Sequence, residues 1–163
     1  MRITWNELTI PFEADQCDRL LSEWRWLVGD EVQLQLVSAL GDLFLSYAEG
    51  RILWLDIGMA RLTRVADSAD EFKQFIQQVE HAEEWFVPQL IGDLIVNGQR
   101  LGPGQCYSYT IPPMLSGKLE VDNFKPTDLV IHCSMFGQIG RQIQGLPEGT
   151  QIRKFSTTEE EEG

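Results

Sequence analysis

Two histidines and three cysteines are the side chains in this sequence best suited to nucleophilic or metal chemistry. His132 is adjacent to Cys133, and an imidazole beside a thiol is the pairing that activates a cysteine nucleophile or holds zinc. The run Leu129-Val130-Ile131-His132-Cys133-Ser134-Met135 reads as a strand, however, in which neighbouring side chains point to opposite faces. The two are therefore not expected to share an ion, and His132 is expected as a satisfied core or sheet-face histidine. His81 lies in Glu80-His81-Ala82-Glu83-Glu84, where a transient metal site competes with a solvated helix end. Cys17, Cys106 and Cys133 are odd in number and include no C-x-x-C pair, which argues against a disulfide framework and a zinc knuckle. Buried thiols are expected, with no metal and no cofactor. No G-x-S-x-G elbow, P-loop or G-x-G-x-x-G follows a predicted strand, and Gly102-Pro103-Gly104-Gln105 reads as a turn. No side chain is assigned a catalytic role, so the chain reads as a binding protein rather than an enzyme. A hydrolase built around His132 or His81 is a rival reading.

The elements that must position these residues are read from periodicity. Cys17, Leu20, Leu21, Trp24, Leu27 and Val28 recur at helical spacing, which predicts a core-facing helix over 15–28 with Asp15 as N-cap and Gly29 just past its end. Leu43 to Tyr47 and Arg51 to Ile57 read as paired strands turning near Glu49-Gly50, and Arg61 to Val65 as a third strand completing a meander. Ser68-Ala69-Asp70-Glu71 has capping-box spacing and opens a helix with Phe72, Phe75, Ile76 and Val79 on one face. A further helix is expected over 82–96, carrying Phe86, Leu90 and Leu94 and stopping at Asn97-Gly98, although Pro88 and Gly92 interrupt the pattern. Residues 98–117 are punctuated by glycine and proline. Within them, Tyr107 and Tyr109 beside Ile111-Pro112-Pro113 are either interface anchors or packing for a stiffened loop. The predicted strand at 129–135 is followed by a segment, 137–144, that fits either a strand or a short helix. Strands, then helices, then strands indicate an α+β fold, mainly antiparallel sheet against several helices.

With 163 residues and 43% apolar side chains, the chain fits one domain, expected over 1–155. The closing residues 156–163, with Glu159 to Glu162 in a row, are expected to form a disordered acidic tail. No apolar run approaches transmembrane length, and Met1 to Glu7 lack the apolar core of a signal peptide, so a cytoplasmic protein is expected. The formal net charge of −12 is concentrated in residues 1–98, which hold 17 Asp and Glu against 7 Lys and Arg. Such a surface repels phosphate backbones. It disfavours direct nucleic-acid binding and favours a basic protein partner.

Seven short motifs then carry a family resemblance. In order they are Gly41-Asp42-Leu43-Phe44-Leu45, Trp54-Leu55-Asp56-Ile57-Gly58, Leu62-Thr63-Arg64-Val65-Ala66-Asp67-Ser68, Gly102-Pro103-Gly104-Gln105-Cys106-Tyr107, Tyr109-Thr110-Ile111-Pro112-Pro113, Gly137-Gln138-Ile139-Gly140-Arg141-Gln142 and Leu146-Pro147-Glu148-Gly149-Thr150. Together, over about residues 41–152, they resemble a bacterial domain family associated with the immunity proteins of type VI secretion DNase toxins. The resemblance implies a protein that binds the toxin encoded beside it in the cytoplasm of the producing cell, with no catalysis and no cofactor. Two departures stand out. Gly140 occupies the place where the family pattern Gly-Gln-Ile-His-Arg-Gln has histidine, and the stretch before Gly41 is expected to leave no room for the N-terminal domain some members carry. DNases have basic substrate grooves, so the acidic portion of this chain is expected to supply the contacts. Glu80, Glu83 and Glu84 come first and Asp70 and Glu71 second, with solvated helix faces and helix-dipole capping as their alternative explanations. A non-toxin interaction module or regulatory adaptor of the same fold is the other rival.

Overall fold

The computed structural model describes residues 2–147 and Thr157. The expected tail at 156–163, except Thr157, and the part of the domain from 148 to 155 lie outside the described residues. The described chain runs α1 (Trp5–Leu8), β1 (Thr9–Ile10), α2 (Cys17–Leu21), α3 (Arg25–Val28), β2 (Val32–Ser38), β3 (Leu43–Tyr47), β4 (Ile52–Asp56), β5 (Arg61–Ala66), α4 (Ala69–Phe75), α5 (Val79–Phe86), α6 (Pro88–Val96), β6 (Gln105–Tyr109), β7 (Phe124–Asp128) and α7 (Leu129–Gln144). Strands β1 to β5 form an antiparallel sheet in sequence order, and β6 pairs with β7 in a separate ribbon. The expected α+β class, with helices against a mainly antiparallel sheet, is the architecture found.

The meander follows from its side chains. The β2–β3 and β3–β4 turns use glycine with positive φ, Gly41 at +81° and Gly50 at +101°, where a Cβ would be penalised, whereas the β4–β5 turn places Ala60 at +51°. Strand β2 carries no expectation from the sequence reading, although Val32, Leu34 and Leu36 alternate with glutamines. A bulge between Leu34 and Leu36 interrupts that alternation. Register then sorts the two faces. Val37, Leu43, Leu55 and Leu62 lie in one row across the sheet, next to Leu34, Leu45 and Leu53, whereas Leu36, Phe44 and Trp54 lie on the opposite face.

Each face is covered by helices. Tyr47, on the leucine face, donates its hydroxyl to Val28 O at the end of α3 (2.7 Å), anchoring the helical segment 14–28 there. On the other face Phe44 meets Phe72 of α4 and Phe86 of α5 at ring-centroid distances of 5.1 and 5.4 Å. Burial on both sides explains why β3 reads as a nearly continuous apolar run.

Several expectations are corrected. The helix expected over 15–28 is built as α2 and α3 joined by 3₁₀ turns. It starts after Glu13, whose N–H donates to Gln16 Oε1, so Asp15 lies in the first turn instead of capping it. Gly29 does close it, at φ +79°. Val79 does not continue the face of α4 but opens α5 and is 65% exposed. The single helix expected over 82–96 is two: Val87 takes a left-handed conformation and Pro88 starts α6, as suits a residue with no N–H to bond. Tyr107 and Tyr109 belong to a strand, β6, opposite Pro126 and Phe124 of β7.

The largest correction is α7. Residues 129–135, expected as a strand, and 137–144 form one 16-residue helix capped by Asp128, which accepts from Ile131 N at 3.0 Å. Nine of its residues are buried, among them Leu129, Val130, His132, Cys133 and Phe136. Ile131 and Met135, on the half-buried side of the helix, are as apolar as the buried positions, so the apolar start of α7 is hard to tell from a strand by period.

Glycine lets α7 sit so deep. A Cβ on Gly137 would lie 2.6 Å from Glu23 O, so the helix packs directly on the backbone of the 22–24 turn. Gly137→Ala is expected to lower unfolding free energy by about 1–3 kcal/mol through overpacking. Gly145→Ala, where a Cβ meets nothing within 4 Å, is expected to stay within about 0.5 kcal/mol of wild type. Urea denaturation of the two variants checks the contrast.

Candidate functional site

Two of the motifs that carry the resemblance reach the core: Gly41 to Leu45 are all buried, as are Leu55, Ile57 and Gly58. Asp42, 3% exposed, accepts from Ile57 N (3.0 Å) and from the Trp54 indole (3.1 Å), while its own N–H donates to Ser38 Oγ (3.1 Å). Burial, and next the neighbouring Asp56, push its carboxyl well above the usual range; burial likewise raises Asp56, which accepts from Met59 N. Gly58 meets Tyr109 with no space for a side chain, a Cβ there falling 2.7 Å from the ring.

His132 is equally enclosed. Its Nδ1 pairs with Ser108 Oγ at 2.7 Å, its ring lies edge-on to Phe136, and its Nε2 presses on the Gly41 backbone without a well-formed hydrogen bond. Burial lowers its pKa to about 4, so the imidazole is neutral at physiological pH. A serine beside a neutral imidazole resembles part of a hydrolytic site, but both side chains are at most 1% exposed and no path brings a substrate to them. Cys106 and Cys133 are also buried, and burial holds the Cys106 thiol well above its ordinary value, the reverse of an activated nucleophile. The strand expected to turn His132 and Cys133 to opposite faces is instead a helix, and both side chains lie inside. His81 stacks on Trp85 at 4.8 Å and on Phe75 at 5.0 Å. Among the described residues no three of His, Cys, Asp and Glu converge as metal ligands.

The two readings of the tyrosines separate clearly. Tyr107 and Tyr109 are buried, the first donating to Gln99 O and the second packed on Phe124 at 4.8 Å, so they serve packing. Gly140, the departure from the family pattern, has Ala60 and Trp26 against it; a Cβ would lie 2.9 Å from Ala60 Cβ. The place a histidine side chain would leave from is filled here by those neighbours.

Partner contact is therefore left to the surface, where the acidic residues lie. Glu71 is committed to structure: its N–H donates to Ser68 Oγ and its carboxylate accepts from Asp67 N, one residue before the expected capping-box partner. Asp70 is exposed in the same first turn of α4. Glu80, Glu83 and Glu84, spaced i, i+3 and i+4, share the exposed side of α5, and none of the three is in an ion pair among the described residues. Asp70 stands at the far end of α4, whose seven residues rise roughly 10 Å, so it is not part of that cluster. What the sequence reading missed is the apolar ground beside the acids. Glu83, Val87, Pro88 and Gln89 line a concavity of about 370 Å³, and Ile3, Pro88, Gln89, Gly92, Asp93 and Val96 line another of about 280 Å³. The absence of any Lys or Arg between residues 74 and 99 marks the acidity of this ground and not its concavities.

The buried titratable groups make opposite contributions to acid stability. Between the ordinary histidine pKa of 6.5 and about 4, the unfolded chain binds a proton at His132 that the folded chain does not. Stability is lost as pH falls through that window, by about 3 kcal/mol at pH 4. Asp42, raised in the fold, acts oppositely, its contribution being lost as pH rises through its folded pKa. His132→Gln is expected to narrow its stability gap to wild type by about 3 kcal/mol between pH 7 and 4, and Asp42→Asn to remove the loss of stability that sets in as pH rises above the ordinary carboxyl range, both read by urea denaturation.

Residues 66–140 match the family model described as T6SS immunity protein Tdi1, C-terminal. No curated protein matches the chain. Among solved structures, the crystal structure of Atu4351 from Agrobacterium tumefaciens is similar at a TM-score of 0.51 and 16% identity, covering 91% of this chain and 76% of that one. At that identity the likeness speaks for the fold alone. None of the described helices is long and apolar enough to cross a membrane. The stretch from the end of β5 through most of α7 thus matches the type VI secretion immunity family that the motifs resemble, and the match supports an immunity role in type VI secretion.

Proposed function

We propose that this protein binds and neutralises a cognate type VI secretion effector, a DNase with a basic surface, in the cytoplasm of the bacterium that makes it. The observation that carries the reading is the family match over 66–140, a stretch that contains α4, α5 and α6, three helices in which Lys73 is the one Lys or Arg against six acids. The protein acts by occupation and not by catalysis. A surface rich in carboxylates competes for the cationic groove that would otherwise hold DNA phosphates, and long-range attraction speeds the encounter. Glu80, Glu83 and Glu84 are the first contacts in this reading. Asp70 and Glu71 are the second, although the capping bonds of Glu71 favour a structural part for that residue. The protein needs no cofactor and makes no direct contact with nucleic acid or membrane.

Co-expression with the secreted nuclease encoded beside it is expected to rescue cell growth and to yield a co-purifying complex. Failure of both overturns the reading. Reversal of Glu80, Glu83 and Glu84 together to lysine is expected to slow association at low salt by roughly tenfold or more and to flatten its dependence on ionic strength. Stopped-flow binding at several salt concentrations checks this, and unchanged rates remove these residues from the interface.

A further inference from the structure

The acids of α5 and α6 border an apolar trough that the electrostatic reading alone does not explain. The two concavities share Pro88 and Gln89 as lining residues, so they adjoin one another on α6. Its geometry comes from the break between the helices. Val87, at φ 46° and ψ 59°, is a β-branched residue in the left-handed region, an unusual conformation that turns α6 away from α5 while its N–H still bonds Glu83 O at 3.2 Å. Gly92 keeps the floor low: even a methyl group there would touch Ile3, at 3.5 Å. At the end of α6, Val96 is 71% exposed, more than any other large apolar residue described. The rim is anionic, with Glu83 on one concavity and Asp93 on the other, the latter fixed by Gln89 Nε2 at 3.0 Å.

We propose that this trough is the docking surface for a short cationic and apolar segment of the effector, an inference that rests on the immunity reading above. Charge complementarity selects the occupant. With no lysine or arginine in residues 74–99 and four acids, Glu80, Glu83, Glu84 and Asp93, a neutral or acidic segment would leave these carboxylates unpaired. Lysine or arginine of the effector pairs with Glu83 and Asp93, and an adjacent apolar side chain covers Gly92 and Val96. The nine residues of α6 extend about 13 Å, enough for four residues of extended chain. The work divides accordingly: exposed acids set how fast the partners meet, and the trough sets how long they stay.

The test uses the full chain and the purified nuclease encoded beside it. The double variant Gly92→Gln, Val96→Asn leaves net charge unchanged, so it is expected to raise the dissociation rate and Kd at least about tenfold with little change in association rate. Ile111→Asn, at a 51% exposed apolar position outside the trough, is expected to bind within about twofold of wild type. Val96→Asn alone carries the measurement if the double variant does not fold, because that side chain is mostly in solvent. A trough variant that binds as wild type does, or a control that weakens binding as much as the trough variant, overturns the docking surface and leaves the immunity reading intact. Wild-type protein that neither binds nor protects overturns both.

Discussion

A carboxylate removed from water has to be given donors, and the positions of those donors then become fixed. Asp42 is such a group. Its oxygens take the Ile57 amide and the Trp54 indole, while its backbone is tied to Ser38, so one side chain joins the β2–β3 turn to the end of β4. The neighbouring residue carries the constraint further, because Gly41 brings its bare backbone against His132 of α7 and Cys106 of β6. Ala39 accepts from Tyr107 N in the same turn, which links the ribbon to the large sheet. Removing either donor from Asp42 would leave a buried acceptor unmatched, the costliest way to lose a hydrogen bond.

This arrangement encloses the chemically suggestive residues. His132 and Ser108 satisfy one another in a space closed by Phe136 and the Gly41 turn. The close approach of α7, made by Gly137 on the 22–24 backbone and Gly140 on Ala60, leaves no channel beside them. Buried polar pairs of this kind define a single packing of the core, since no other alignment of the helix satisfies both members.

The outside of the molecule follows different rules. Helices α4 and α5 deliver Phe72, Trp85 and Phe86 to the sheet and therefore turn their charged sides to solvent. The core thereby specifies where the acids are displayed without using them. Since salt screens exposed charges over about 8–10 Å, acids displayed in this way would act on the rate of encounter more than on retention in the complex proposed above.

The meander β3 to β5, the Ser68 cap, the Gly29 stop and the acidic bias were readable along the chain, because each depends on side chains a few residues apart. Strand β2 showed in the alternation of Val32, Leu34 and Leu36 with glutamines but drew no expectation, its bulge being set only by the folded pairing, and β6 was read as a loop because Ile111-Pro112-Pro113 punctuates the stretch just after it. For α7 the signal was blurred and not absent: Ile131 and Met135 make even the less buried side apolar at the start of the helix, while packing against the 22–24 turn and Ala60 fixes where it sits. The acids of the candidate surface were visible as composition, but the trough beside them was not. It arises where Ile3 meets α6, nearly ninety residues away along the chain, and no local pattern encodes a contact made only on folding.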